Sequence, residues 1–134
     1  MAGIDFDIEG GHSQDLITNL VKRVKVDQSA YPKLRFSFTL QTSGGNSKWV
    51  PQNQLNALGA MVLTAIQSIG LNWNNVFINL MVMDFGSSSW VCVIGSNGNC
   101  DMDTSSIVAA ESLHKAWNVP YSSIELTPMY DRRE

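Results

Sequence analysis

Residues 3–11, Gly3-Ile4-Asp5-Phe6-Asp7-Ile8-Glu9-Gly10-Gly11, alternate acidic and apolar side chains with a period of two. A β-strand sends successive side chains to opposite faces. Asp5, Asp7 and Glu9 therefore share one face, roughly 6.5–7 Å apart at each step. Ile4, Phe6 and Ile8 share the other, which needs an apolar cover such as a helix. Like charges in a row repel, and burying them costs several kcal/mol each unless they are paired or protonated. Two readings follow. One is a solvated acidic edge strand. The other is a catalytic strand whose last carboxyl keeps its proton for use as a general acid, while a neighbour stays charged.

Other residues with chemical potential are few. Asp84 sits near the end of the apolar run at 76–85. Cys92 and Cys100 flank a stretch rich in Gly, Ser and Asn. A disulfide between them would close a small loop, contribute about 2–3 kcal/mol by loop entropy, and suit an oxidising compartment. The two histidines, His12 and His114, have no ligand pattern around them, so neither a metal site nor a cofactor is expected. His114 reads as packed or solvated. Gly44-Gly45 is not followed by Gly-Lys-Ser/Thr, so it is no phosphate loop.

The chain has 134 residues, enough for a single domain over 1–134. A complete (β/α)8 barrel normally takes about 250 residues. Hydrophobic content of 44% against 16% charged residues describes a folded protein. A net charge of −3 argues against a nucleic-acid partner. No apolar run approaches the ~20 residues of a membrane-spanning helix.

The elements that must position the carboxylates follow from periodicity. Ser13 is a candidate N-cap for an amphipathic helix over 14–29, and Tyr31-Pro32 stops it. Residues 34–40 alternate again, with Phe36, Phe38 and Leu40 toward helices and Ser37, Thr39 and Gln41 on the carboxylate side. Pro51 opens a second helix, which Gly70 closes. The apolar run at 76–85 predicts a strand buried on both faces. A polar loop over 86–103 carries the cysteines and Trp90. Thr104 or Ser105 then caps a third helix that turns Ile107, Ala110, Leu113, His114 and Trp117 to the core. Residues 123–129 form a last strand. The order β-α-β-α-β-α-β predicts an α/β fold with parallel strands.

Residues 3–9 resemble the signature strand of the family-eighteen glycoside hydrolases, the chitinases, Asp-Gly-x-Asp-x-Asp-x-Glu. On that match Glu9 is the catalytic acid, Asp7 orients the substrate acetamido group, and Asp5 sits deeper and modulates Asp7. The first Asp of the motif falls at Ala2. Met81-Val82-Met83-Asp84-Phe85 resembles the Met-x-Tyr-Asp segment of the sixth barrel strand. There Asp84 binds the sugar and Met81 lines the pocket beneath it. The family tyrosine falls at Met83, or in a bacterial branch at Phe85, and neither has a hydroxyl. Leu126-Thr127-Pro128-Met129 resembles the seventh strand, which adds Met129 to the substrate-binding set.

The resemblance spans nearly the whole chain and corresponds to strands four to seven, half of a TIM barrel. It implies retaining, substrate-assisted cleavage of β-1,4-linked N-acetylglucosamine polymers, with chitin or its oligosaccharides as partner. Strands one to three and eight fall outside the chain, with the tryptophan that floors the family's sugar site, so weak or absent activity is the expectation. Met1-Ala2 reads as a start within a strand, which points to a piece of a longer, secreted protein. Two alternatives stay open: a non-catalytic chitin-binding relative, against which an intact Glu9 counts, and a half-barrel fragment made as a folding unit. Two unpaired sheet edges predict closure as a homodimer.

Overall fold

Alternation on the strands dictates the layering. The computed structural model describes residues 2–45 and 54–129. In order they form β1 (Gly3–Ile8), α1 (Gln14–Ala30), β2 (Arg35–Gln41), α2 (Ala57–Ile69), β3 (Val76–Val82), α3 (Met102–Trp117), a 3-10 turn (Tyr121–Ser123) and β4 (Ile124–Pro128). The strands make one sheet in sequential order, and every neighbouring pair is parallel. This is the α/β architecture of half a TIM barrel.

The even-numbered residues of the two central strands carry the core. Phe36, Phe38 and Leu40 of β2 and Val76, Ile78, Leu80 and Val82 of β3 are buried. They join Ile17, Val21 and Val24 of α1, Val62, Leu63 and Ile66 of α2, and Leu113 of α3 in one cluster. Each such side chain contributes about 1.5–3 kcal/mol on full burial. Ser13 caps α1 as expected, its hydroxyl accepting the Leu16 N–H at 3.3 Å. Gly70 ends α2 in the left-handed conformation, φ 76°.

Four details differ from the sequence reading. First, β3 is buried on one face only, since Phe77, Asn79 and Met81 are half-buried. Among the described residues no helix covers the sheet's odd-numbered face, so the apolar run there is only partly covered. Second, β3 stops at Val82, because Asp84 turns the backbone left-handed at φ 51°. Third, α2 starts at Ala57, where the Asn56 Oδ1 accepts the Gly59 N–H at 2.8 Å. Leu55 is instead bridged to Thr42, and Pro51 lies outside the described residues. Fourth, α3 is capped by Asp101, not by Thr104 or Ser105. Its inward face also differs: Ser105, Ala109, Ser112 and Leu113 are buried, while Ile107 is 58% exposed.

Candidate functional site

Strand register assembles the polar face from four strands. Asp5 lies beside Ser37 and Asp7 beside Thr39. Thr39 lies beside Asn79, and Gln41 beside Met81. Asn79 lies beside Glu125, and Met81 beside Thr127. The Ser37 hydroxyl donates to Asp5 Oδ1 at 2.5 Å. The Thr39 hydroxyl donates to both Asp5 oxygens, at 2.9 and 3.0 Å. On the same face, Arg35 places its guanidinium 3.9 Å from the centroid of the Phe77 ring and forms an ion pair with Glu125. Asp7 and Glu9 are exposed. Asp5 is exposed as well, so the three carboxylates avoid the cost of a dry interior, and Asp5 is satisfied by hydroxyl donors.

A cleft of ≈ 380 Å³ opens beyond the ends of the strands, lined by Glu9, Gln41, Thr42, Met81, Met83 and Asp84. β1, β2 and β3 each deliver their carboxyl-terminal residues to it, the end at which parallel α/β sheets place ligands. Gln41 is held there by Asn56, whose Nδ2 donates to Gln41 Oε1 at 2.8 Å. Of the residues singled out from the sequence, Glu9, Met81, Met83 and Asp84 come together. Asp5 and Asp7 instead border a groove of ≈ 320 Å³ at the free edge of β1, with Phe6, Ile8, His12, Leu16, Ile17 and Leu20. Phe85 is only 7% exposed and belongs to the core cluster, away from the cleft lining. Met129 follows β4 as an exposed side chain and is not among the residues lining the cleft. Thr42, Asn79 and Thr127 went unremarked in the sequence as site residues. The parity of their strands was the signal available for the last two.

Two loops wall this end of the sheet. Cys92 and Cys100 are joined, with Cα atoms 5.8 Å apart, inside a small hairpin where Gly95 donates to Asn99 at 2.8 Å. The loop after β2 packs against it: the Gly44 N–H donates to the Val91 carbonyl at 2.7 Å. A side chain on Gly44 would run into the Ser105 backbone, and one on Gly45 into that of Trp90. Only glycine permits so close a backbone approach. His114 takes no part in the site. It sits at the other end of the sheet, its Nδ1 2.8 Å from the Val119 carbonyl and its ring stacked on Tyr121 at 4.0 Å.

No protein-family model matches the chain, and no curated protein matches it either. Solved structures do. The catalytic domain of a hyperthermophilic chitinase from Pyrococcus furiosus superposes with a TM-score of 0.59 at 25% identity. Catalytic-site mutants of active domain 2 of chitinase from the same organism give 0.59 at 24%. Further such mutants, complexed with chito-oligosaccharides, give 0.58 at 22%. The fold is chitinase-like. Each alignment covers 96% of this chain but 38% of the other, so the chain spans well under half the length of the chitinase structures it matches. Within that span the chitinase-like half-barrel presents Glu9 and Asp84 to one cleft.

Proposed function

We propose that the chain carries the acid-bearing half of a chitinase-type glycoside hydrolase. The observation that carries this reading is the meeting of Glu9, Met81 and Asp84 around one cleft at the carboxyl-terminal ends of parallel strands. The chitinase neighbours support a carbohydrate substrate, and the sequence motif narrows it to β-1,4-linked N-acetylglucosamine. In substrate-assisted cleavage the substrate's acetamido oxygen attacks the anomeric carbon. The protein supplies a proton for the departing glycosidic oxygen and a carboxylate to orient the acetamido group. Glu9 takes the first role, and the motif gives the second to Asp7, one strand period earlier and outside the residues that line the cleft. Asp84 holds the sugar across the cleft. Water, giving its proton to the now ionised Glu9, then displaces the acetamido oxygen at the same carbon, and two successive displacements retain its configuration.

Met83 occupies the cleft where a tyrosine hydroxyl would serve, and Phe85 is turned into the core. This favours a second reading, oligosaccharide binding with little or no turnover. Hydrolysis of a chitin oligosaccharide by the wild-type chain and by Glu9→Gln separates the two. The expected result is slow turnover that Glu9→Gln reduces by about 100- to 10,000-fold, the usual cost of removing a catalytic acid. Equal turnover by both proteins overturns the assignment of Glu9. Heat of binding without product, in both, supports the second reading. The disulfide is consistent with a secreted protein, and closure with a second copy belongs to the same proposal.

A further inference from the structure

We infer that Asn79 is a positioning residue for the acidic strand, acting with Thr39 in front of it and Thr127 behind it. The Thr127 hydroxyl donates to Asn79 Oδ1 at 2.8 Å. The Asn79 Nδ2 donates to Thr39 Oγ1 at 3.1 Å. The Thr39 hydroxyl then donates to Asp5 at 2.9 and 3.0 Å. An amide side chain has chemically different ends, one accepting and one donating. Asn79 turns its acceptor to β4 and its donor to β2, so the chain of hydrogen bonds has one direction, from β4 to β1. Thr39 has a single hydroxyl proton. With its oxygen engaged by Asn79, that proton is delivered to Asp5.

The consequence is a division of labour along β1. Asp5 is pinned by donors from β2, and Arg35 on the same face is committed to Glu125. Among the described residues the carboxylates of Asp7 and Glu9 have no hydrogen-bond or ion-pair partner. The network therefore fixes Asp5 and leaves the Asp7 and Glu9 carboxylates free to turn toward a ligand. Thr39 is buried and Asn79 half-buried, where directional hydrogen bonds of this kind hold geometry best. The value of this arrangement for catalysis rests on the glycosidase reading above; the network itself does not.

The test uses the intact chain and two readouts. Side-chain amide resonances of Asn79 are followed by proton–nitrogen NMR in wild type, Thr39→Val and Thr39→Ser. Valine matches threonine in shape but has no hydroxyl, whereas serine keeps it. The expected result is an upfield move of the Asn79 amide proton in Thr39→Val, with Thr39→Ser restoring the wild-type position. An unmoved amide in Thr39→Val overturns the inference. Thr127→Val, at the sheet's edge, gives the same comparison from the other end of the network should Thr39→Val not fold. The second readout is turnover, for which Thr39→Val is expected to lose about 10- to 100-fold in kcat, the scale of one hydrogen bond to a charged group, with KM unchanged and Thr39→Ser rescuing. A moved amide without hydrolysis in any variant upholds the network and removes the glycosidase reading. Hydrolysis that needs Glu9, with an unmoved amide, does the reverse.

Discussion

Asp5 and Glu9 stand on one strand face, yet their neighbours give them different work. Asp5 accepts hydrogen bonds from two hydroxyls on β2, while Glu9 reaches past the strand into the cleft. Asp101 shows the same dependence on surroundings. The Thr104 backbone N–H, then the Thr104 hydroxyl and the Asp103 backbone N–H, hold its carboxyl below the usual carboxylate range, against a smaller opposing effect of desolvation. A carboxyl lowered in the folded state stabilises the fold above its unfolded value, about 3.9, and loses that contribution as pH falls through the folded value. Asp101→Ala is therefore expected to melt below wild type at pH 7, with the gap narrowing as the pH drops below about 4. Asp101→Asn keeps the cap acceptor but not the charge, so at pH 7 it should melt between wild type and Asp101→Ala, without wild type's loss of stability below about pH 4. Melting followed by circular dichroism between pH 7 and 2 checks both, and a gap that stays constant to pH 2 contradicts this account of the cap.

Among the elements, the loops after β2 and β3 depend on each other. The backbone of the first lies against the second through Gly44 and Gly45, and the second is closed by Cys92–Cys100. Cys92 is fully buried and belongs to the core cluster, so the crosslink ties this loop to the core. The unreduced protein, denatured and treated with an alkylating reagent, is expected to take up none. Cys92→Ser with Cys100→Ser should lower stability by about 2–3 kcal/mol in denaturant titration, the loop-entropy value for a ring of this size. Two alkylated thiols before reduction contradict the pairing.

At the scale of the whole molecule, the sheet is finished at its centre and unfinished at its margins. Phe38, Leu40, Ile78 and Leu80 are fully buried, but Ile4 on β1 is 38% exposed and Leu126 on β4 is 40% exposed. Among the described residues β1 and β4 are the outer strands of the sheet, and neither pairs with a strand on its outer side. Two copies about a two-fold axis would set β1 of one beside β4 of the other and bring the strand number to eight, at which side chains just fill a barrel. The symmetry is closed, so association stops at two. Light scattering at micromolar concentration is expected to give twice the 14.8 kDa chain mass. A monodisperse monomer rules out the paired half-barrel.

Much of this was determined by the sequence alone, because it is local. Alternation put Asp5, Asp7 and Glu9 on one face, Ser13 and Gly70 marked helix ends, and the run of elements implied a parallel sheet. Other features needed the tertiary structure, because they depend on contacts between segments distant in the chain. Parity says which face a residue takes but not its cross-strand partner, so the path from Thr127 through Asn79 and Thr39 to Asp5 became visible only with the register. Parity also fails where a strand ends. Met83 and Phe85 are two residues apart and would share a face on a continuing strand. The left-handed turn at Asp84 separates them, leaving Met83 in the cleft and Phe85 in the core. The half-covered face of β3 has the same origin: its apolar residues specify that the run is a strand, and only the arrangement of the helices decides which side of it they cover.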